Sequence, residues 1–235
     1  MRRIVFGSLM GLFVLAFCGL GAWQIQRLFW KEALIAQVNA RVNAPAVAAP
    51  GAAAWLGLSA ADAYRHVTVH GRFVNAAEAQ VYALSDLGAG YWIMTPLRTD
   101  DGAVVFVNRG FVPMTQKAPA TRAVGQLEGE VTVTGLLRLS ENKGWLFSQP
   151  NDPAHDAWYH RDVAALAQSR HLGAVAPYFI DADKTPNPGG WPRGGMTVIS
   201  FPNSHLVYAI TWFSLAAMLA GFLIWQGRRG PATED

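Results

Sequence analysis

One stretch constrains this chain more than any other: Pro202 to Trp225, PNSHLVYAITWFSLAAMLAGFLIW. It opens on a polar Pro-Asn-Ser-His tetrad, and the twenty residues from Leu206 to Trp225 carry no formal charge. Twenty residues rise about 30 Å as a helix, which matches the hydrocarbon thickness of a bilayer. Arg228 and Arg229 follow at once, as a cytoplasmic anchor does. His205 therefore falls where water gives way to lipid. Tyr208 and Trp212 lie three and seven residues further on and share its helical face.

A second apolar run covers Ile4 to Ala22. The alternative to a membrane span is a cleaved signal peptide, but nineteen apolar or small residues exceed the usual apolar region of about 7–15. Leu-Ala-Phe-Cys, ending at Cys18, imitates a lipoprotein cleavage site, yet Phe17 is too large to precede the cysteine. An uncleaved anchor is expected. Arg2 and Arg3 before it and Arg27 and Lys31 after it leave its direction ambiguous, whereas Arg228 and Arg229 orient the second span. Two spans then place both termini in the cytoplasm. Gly7 and Gly11 in the first run, and Ala217 and Gly221 in the second, would lie level in an antiparallel hairpin and allow close backbone approach.

These boundaries give a first transmembrane helix at 1–23, an extracytoplasmic domain at 24–205, a second transmembrane helix at 206–226 and a cytoplasmic tail at 227–235. The net charge of +3 is accounted for by the four terminal arginines, so there is no basic face for nucleic acid. A single cysteine excludes an internal disulfide framework and Cys-x-x-Cys chemistry.

Between the spans, Trp23 to Val42 continues as helix, with Leu28, Ile35 and Val38 as its apolar stripe. Pro45 to Ala54 reads as a linker. Tyr64 to Val74 alternates as a strand, with Val67, Val69 and Phe73 opposite His66, Thr68, His70 and Arg72. On a strand the two histidines stand about 13 Å apart, too far to share a metal. Further strands are expected at Ala79–Leu84, Tyr91–Arg98, Ala103–Val112, Val131–Leu139, Tyr178–Asp181 and Met196–Phe201. Pro96 puts the second of these at a sheet edge. Asn108-Arg109-Gly110 implies a bulge or turn near a site. Asp162 caps a short helix with Gly173 as its stop. The Pro186–Gly195 loop lacks the Lys-Ser/Thr pair of a phosphate cradle. The expected fold is a two-helix transmembrane hairpin flanking an extracytoplasmic, antiparallel β-rich α+β domain, barrel-like or sandwich-like.

Enzyme templates are poorly met: there is no Gly-x-Ser-x-Gly elbow and no His-Glu-x-x-His. His205 admits two readings. It is an interfacial anchor, or it is the axial ligand of a haem whose ring lies against Tyr208 and Trp212 at the membrane edge.

The motifs resemble the Surfeit-locus-one (Shy-like) family of cytochrome c oxidase assembly factors, nearly end to end. GAWQIQRLFWK, Gly21 to Lys31, is similar to the family's G-x-W-Q-x-x-R block. YRHVTVHGRF, GYWIMTPL, VVFVNRGFVP, WYHRD and the Gly-Gly loop follow in the family's order. PNSHLVYAITW, Pro202 to Trp212, resembles the signature P-N-N-H-L-x-Y-A-I-T-W, with Ser204 in place of an asparagine. The resemblance implies a non-enzymatic haem a chaperone that delivers haem a to oxidase subunit I. His205 would be the iron ligand, and Tyr208 and Trp212 its cofactor-binding neighbours. It implies subunit I, haem A synthase and membrane lipid as partners. Its alternative is a structural assembly factor that holds a subunit intermediate without haem. A span beginning at Ile4 leaves no room for a mitochondrial presequence, so a bacterial inner-membrane protein with a periplasmic domain is expected.

Overall fold

Helices α1 (Arg2–Val42) and α3 (His205–Arg228) flank, in sequence, a domain with, among the described residues, seven strands, several 3-10 turns and one short α-helix, α2 (Val163–Ser169). The computed structural model describes residues 2–141 and 148–229. Residue 1 of the expected first span and residues 230–235 of the expected tail lie outside the described residues. The chain divides into two compact units, Met1–Gln37 with Ile199–Asp235, and Val38–Val198.

In the first unit the apolar side chains face outward. Ile4, Leu12 and Leu15 on α1, and Val207, Ile210 and Met218 on α3, are largely exposed. A water-soluble core helix hides such residues; a helix that displays them all round needs lipid as its solvent. Both helices are long and apolar enough to cross a bilayer, and the chain is a membrane protein. α1 runs unbroken through 41 residues, about 60 Å at the helical rise, roughly twice a bilayer core.

The second unit is a closed sheet. Its strands are β1 (Val47–Ala48), β2 (His66–Phe73), β3 (Ala79–Ser85), β4 (Gly88–Thr99), β5 (Val104–Pro113), β6 (Glu130–Leu139) and β7 (Val175–Ala182). The order is β1-β2-β6-β7-β5-β4-β3, and an additional β2–β4 pairing closes the ring. β2, β6, β7, β5 and β4 form the barrel, with β1 and β3 attached outside it. Four of the five ring pairings are antiparallel and one, β5–β7, is parallel. This departure from an all-antiparallel sheet follows from counting. A closed ring of alternating directions needs an even number of strands, so five strands force one parallel neighbour pair.

Burial follows the two-residue strand period. Val67, Val69, Leu97, Val105, Val107, Leu137, Tyr178 and Ile180 fill the barrel. Phe106 and Phe179, one residue out of phase, pack instead against Val163 and Leu166 of α2 and against Trp158. β5 is thus covered on both faces, and Val104 to Val112 is buried without a break. The Asp-Asp-Gly turn into β5 is present, closed by Thr99 N–H to the Ala103 carbonyl at 2.9 Å.

Three local expectations are corrected. Pro96 is not on an edge strand, because β4 pairs with β3, β5 and β2. The proline sits where β4 changes partner: β3 pairs up to Met94 and β2 begins at Leu97. Its missing N–H therefore breaks no ladder step, and its carbonyl accepts from Val74 at 2.8 Å. Met196–Phe201 forms no strand. Thr197 donates to Asp181 of β7 at 3.0 Å, but both edges of β7 are already taken by β5 and β6. Helix α2 begins at Asp162, whose carboxylate accepts from Ala165 N–H at 3.2 Å. It stops at His171 rather than Gly173. His171 adopts the left-handed conformation (φ 51°), and Leu172 N–H reaches back to the Ala167 carbonyl at 3.0 Å, a Schellman closure.

Candidate functional site

α3 starts at His205, directly after Pro-Asn-Ser. The proline and the short polar residues disfavour an earlier helical turn, so the histidine lands at the polar end of the apolar helix. Its backbone N–H points to the Asn203 side-chain oxygen at 3.4 Å. Its ring meets α1: Nδ1 lies 2.7 Å from Oε1 of Gln24. Gln24 is itself buried, at 9% exposure, an amide among apolar neighbours that needs such a partner.

The two helices run antiparallel around this pair. Beyond His205, Trp212 stacks on Phe17 with ring centroids 5.6 Å apart and 27° between planes. Ala209 and Ala216 are buried. At Gly21 a Cβ would come within 2.7 Å of the Phe213 ring, so glycine is what lets that ring lie against the α1 backbone. The close approach expected at Gly7, Gly11, Ala217 and Gly221 is not found. Nothing lies within 4 Å of a Cβ built at Gly7, Gly11 or Gly221, and Ala217 is exposed. Contact falls instead on the large rings facing Gly21, where shape and not smallness on both sides sets the fit. Further along α1, the Lys31 ammonium donates to the Pro202 carbonyl, and the Arg27 guanidinium lies 4.1 Å over Trp30.

Of the three residues singled out from sequence, the structure brings His205 and Trp212 to the α1-facing side of α3. It leaves Tyr208 outward, 55% exposed. Gln24 was not singled out, although an uncharged amide one turn beyond Gly21, inside the Trp-Gln block, was a visible signal.

The outer domain holds its own polar clusters. His66 Nδ1 pairs with the Ala44 carbonyl at 2.9 Å, and His70 Nδ1 with Asp100 at 3.0 Å. The two histidines do not act together, and no metal-holding group of three His, Cys, Asp or Glu occurs among the described residues. The Asn108-Arg109-Gly110 irregularity is a bulge, with one extra β5 residue between the Trp92 and Met94 pairings. Gly110 has φ +124° there, and a Cβ would meet the Arg193 carbonyl at 2.0 Å. The bulge directs Arg109 inward over Phe73 at 4.6 Å, where it donates to Asn187 Oδ1 at 3.1 Å and to the Gly125 carbonyl. Burial, partly offset by the Glu78 charge, pulls its guanidinium down to about 10. Asp181 is buried and accepts from Asn108, Arg138 and Arg161 at 2.8–3.0 Å. Glu141 joins the same arginines. Burial alone would raise its carboxyl, but hydrogen bonding to and the charge of Arg161, with the charge of Arg138, hold it below the usual carboxylate range. These clusters tie strands and loops together.

A model of the SURF1 family matches residues 11–217. Surfeit locus protein 1 of Rattus norvegicus is 37% identical over 215 residues, which cover 85% of this chain and 68% of the rat protein. A SURF1-like protein of Monosiga brevicollis is 39% identical over 226 residues, covering 90% and 84%. Surfeit locus protein 1 of Homo sapiens is 37% identical over 216 residues, covering 85% and 70%.

Proposed function

The chain belongs to the SURF1 family, and from that premise we propose that it is a non-enzymatic assembly factor for cytochrome c oxidase. In this reading it carries haem a as cargo to subunit I. It receives the haem from haem A synthase within the bilayer and hands it on by contact between the membrane proteins. The observation that carries the reading is His205: an imidazole held through one ring nitrogen by Gln24, on the first turn of an apolar helix.

The residues present fit such a cargo. Haem iron accepts an imidazole nitrogen, and Tyr208, exposed three residues beyond His205, offers an aromatic surface on which an apolar macrocycle could pack. His205, the first residue of α3, would hold a haem close to the boundary between lipid and water. The exposed flank of Tyr208 offers packing area. Trp212, stacked on Phe17, stiffens the helix pair beneath it. His205 would supply a single protein ligand to the iron, which suits a carrier that must release what it holds.

The test is coexpression of the full chain with a source of haem A. The purified parent is expected to carry a haem spectrum. His205→Ala is expected to stay inserted, since alanine costs a helix little, and to lose most of that absorbance, while His66→Ala and His70→Ala keep it. A His205→Ala protein with the parent spectrum would refute the ligand assignment. A parent without haem would leave the reading in which the chain holds a subunit intermediate and no cofactor.

The same reading places both termini in the cytoplasm of a bacterial cell and residues 43–200 in the periplasm, because Arg228 and Arg229 follow α3. Alkaline phosphatase fused after Leu139 is expected to be active, and fused after Gly230 inactive. The reverse pattern would move His205 to the wrong face of the membrane.

A further inference from the structure

We propose that Gln24 is a positioning residue that sets the tautomer of His205 and so leaves the Nε2 lone pair free for an iron ligand. The inference rests on the haem-carrier reading above but makes a claim about the protein without haem.

A neutral imidazole has one N–H and one lone pair, and the partner of one nitrogen decides which nitrogen holds which. Gln24 presents Oε1 to His205 Nδ1 at 2.7 Å. An amide oxygen can only accept, so Nδ1 must carry the proton and Nε2 the lone pair. In a free histidine side chain the preference is the reverse, with Nε2 protonated, and that form cannot ligate through Nε2. The hydrogen bond therefore selects the ligating tautomer before any metal arrives. It also fixes the ring orientation, because its two ends belong to rigid helices that meet at Gly21 and Phe213. Metal-binding histidines commonly donate their second ring N–H to an acceptor that tunes affinity. Here a neutral amide serves instead of a carboxylate.

Gln24 is buried, at 9% exposure, where an amide is disfavoured unless its hydrogen bonds are met. Leucine would fill similar space on α1 with better helix propensity and no polar group to satisfy. The buried amide is accounted for by its partner, which lies 181 residues away in sequence.

The experiment uses the full chain in lipid nanodiscs at pH 8, labelled with ¹⁵N-histidine. The His205 ring signals are assigned by difference against His205→Ala. Without haem, the parent is expected to show a protonated Nδ1 and an unprotonated Nε2. Gln24→Leu is expected to shift His205 toward the Nε2–H form. Gln24→Glu, which keeps an acceptor, is expected to retain the parental pattern. Titration with ferric haem a is then expected to show affinity about tenfold weaker for Gln24→Leu and near-parental for Gln24→Glu. A parental His205 with Nε2 protonated, as it would be if the amide were turned over to donate its NH₂, overturns the proposal. So does a tautomer indifferent to Gln24→Leu. The protonation of the parental ring tests the proposal without Gln24→Leu having to fold. If the tautomers behave as expected but the parent takes up no haem a, the carrier reading fails while the tautomer assignment stands.

Discussion

Gly21 of α1 and Phe213 of α3 are in van der Waals contact that no residue with a Cβ could share, since that atom would come within 2.7 Å of the ring. The ring is flanked by the Phe17–Trp212 stack and by the Gln24–His205 hydrogen bond. We expect Gly21→Leu to push the helices apart and break that bond. The variant should show weakened protection of the Gln24 and His205 region in hydrogen exchange in detergent. Gly7→Leu, where nothing lies within 4 Å, should be silent. Equal effects at the two glycines would remove the special status of this contact.

Glu78 and Arg122 form a buried, doubly bonded ion pair, with side chains 2% and 1% exposed. Removing one partner strands the other charge. Glu78→Gln is therefore expected to destabilise the folded chain by roughly 3–5 kcal/mol, read as a lowered denaturant midpoint. The double variant Glu78→Met/Arg122→Met should recover much of the loss, because it leaves no unpaired charge. A double variant as unstable as the single one would mean that the pair contributes through shape and not charge.

Glu141 supplies a pH dependence with a definite sign. Its carboxyl is held below the ordinary value of about 4.5 by Arg161 and Arg138, against the opposing effect of burial. A group depressed in the folded state binds fewer protons there than in the unfolded chain. Its stabilisation is present above pH 4.5 and is lost as pH falls through the lower folded value. Glu141→Gln should flatten the acid limb of thermal stability in that window and leave the slope between pH 6 and 8 unchanged. An identical acid limb in parent and variant would place the titration elsewhere.

Local physics explains which parts of this structure were legible in the sequence. The spans were readable because twenty residues without a charge admit few other fates. The Asp100–Gly102 turn and the Asn108–Gly110 bulge were readable because polar residues and glycine interrupt a buried run. Pro96 was misplaced because a proline reports only that its own N–H is unpaired. Whether the cause is a sheet edge or a change of partner within a central strand depends on β2 and β3. Met196–Phe201 has the composition of a strand, but pairing also needs a free edge, and that is a property of other segments. For the candidate site, His205 could be read from its place at the end of a span. Its partner Gln24 could not be paired with it, because separation along the chain carries no distance information. Helical spacing puts Trp212 on the side of α3 that carries His205, where it stacks on Phe17, whereas the outward turn of Tyr208 depends on where α1 lies.

The odd number of strands in the barrel also dictates the itinerary of the chain. Parallel neighbours cannot be joined by a hairpin, so the polypeptide leaving β5 cannot return directly to lay down β7 beside it. It must make an excursion, and residues 114–174 are that excursion, in which β6 and α2 lie. Parity also limits how such a barrel can be remodelled. Inserting or deleting one ring strand would reverse the direction of everything after it, whereas exchanging a hairpin of two would not. Lineages that lengthen or trim this ring should therefore do so in pairs of strands, and variation in length should collect in the excursion between β5 and β7.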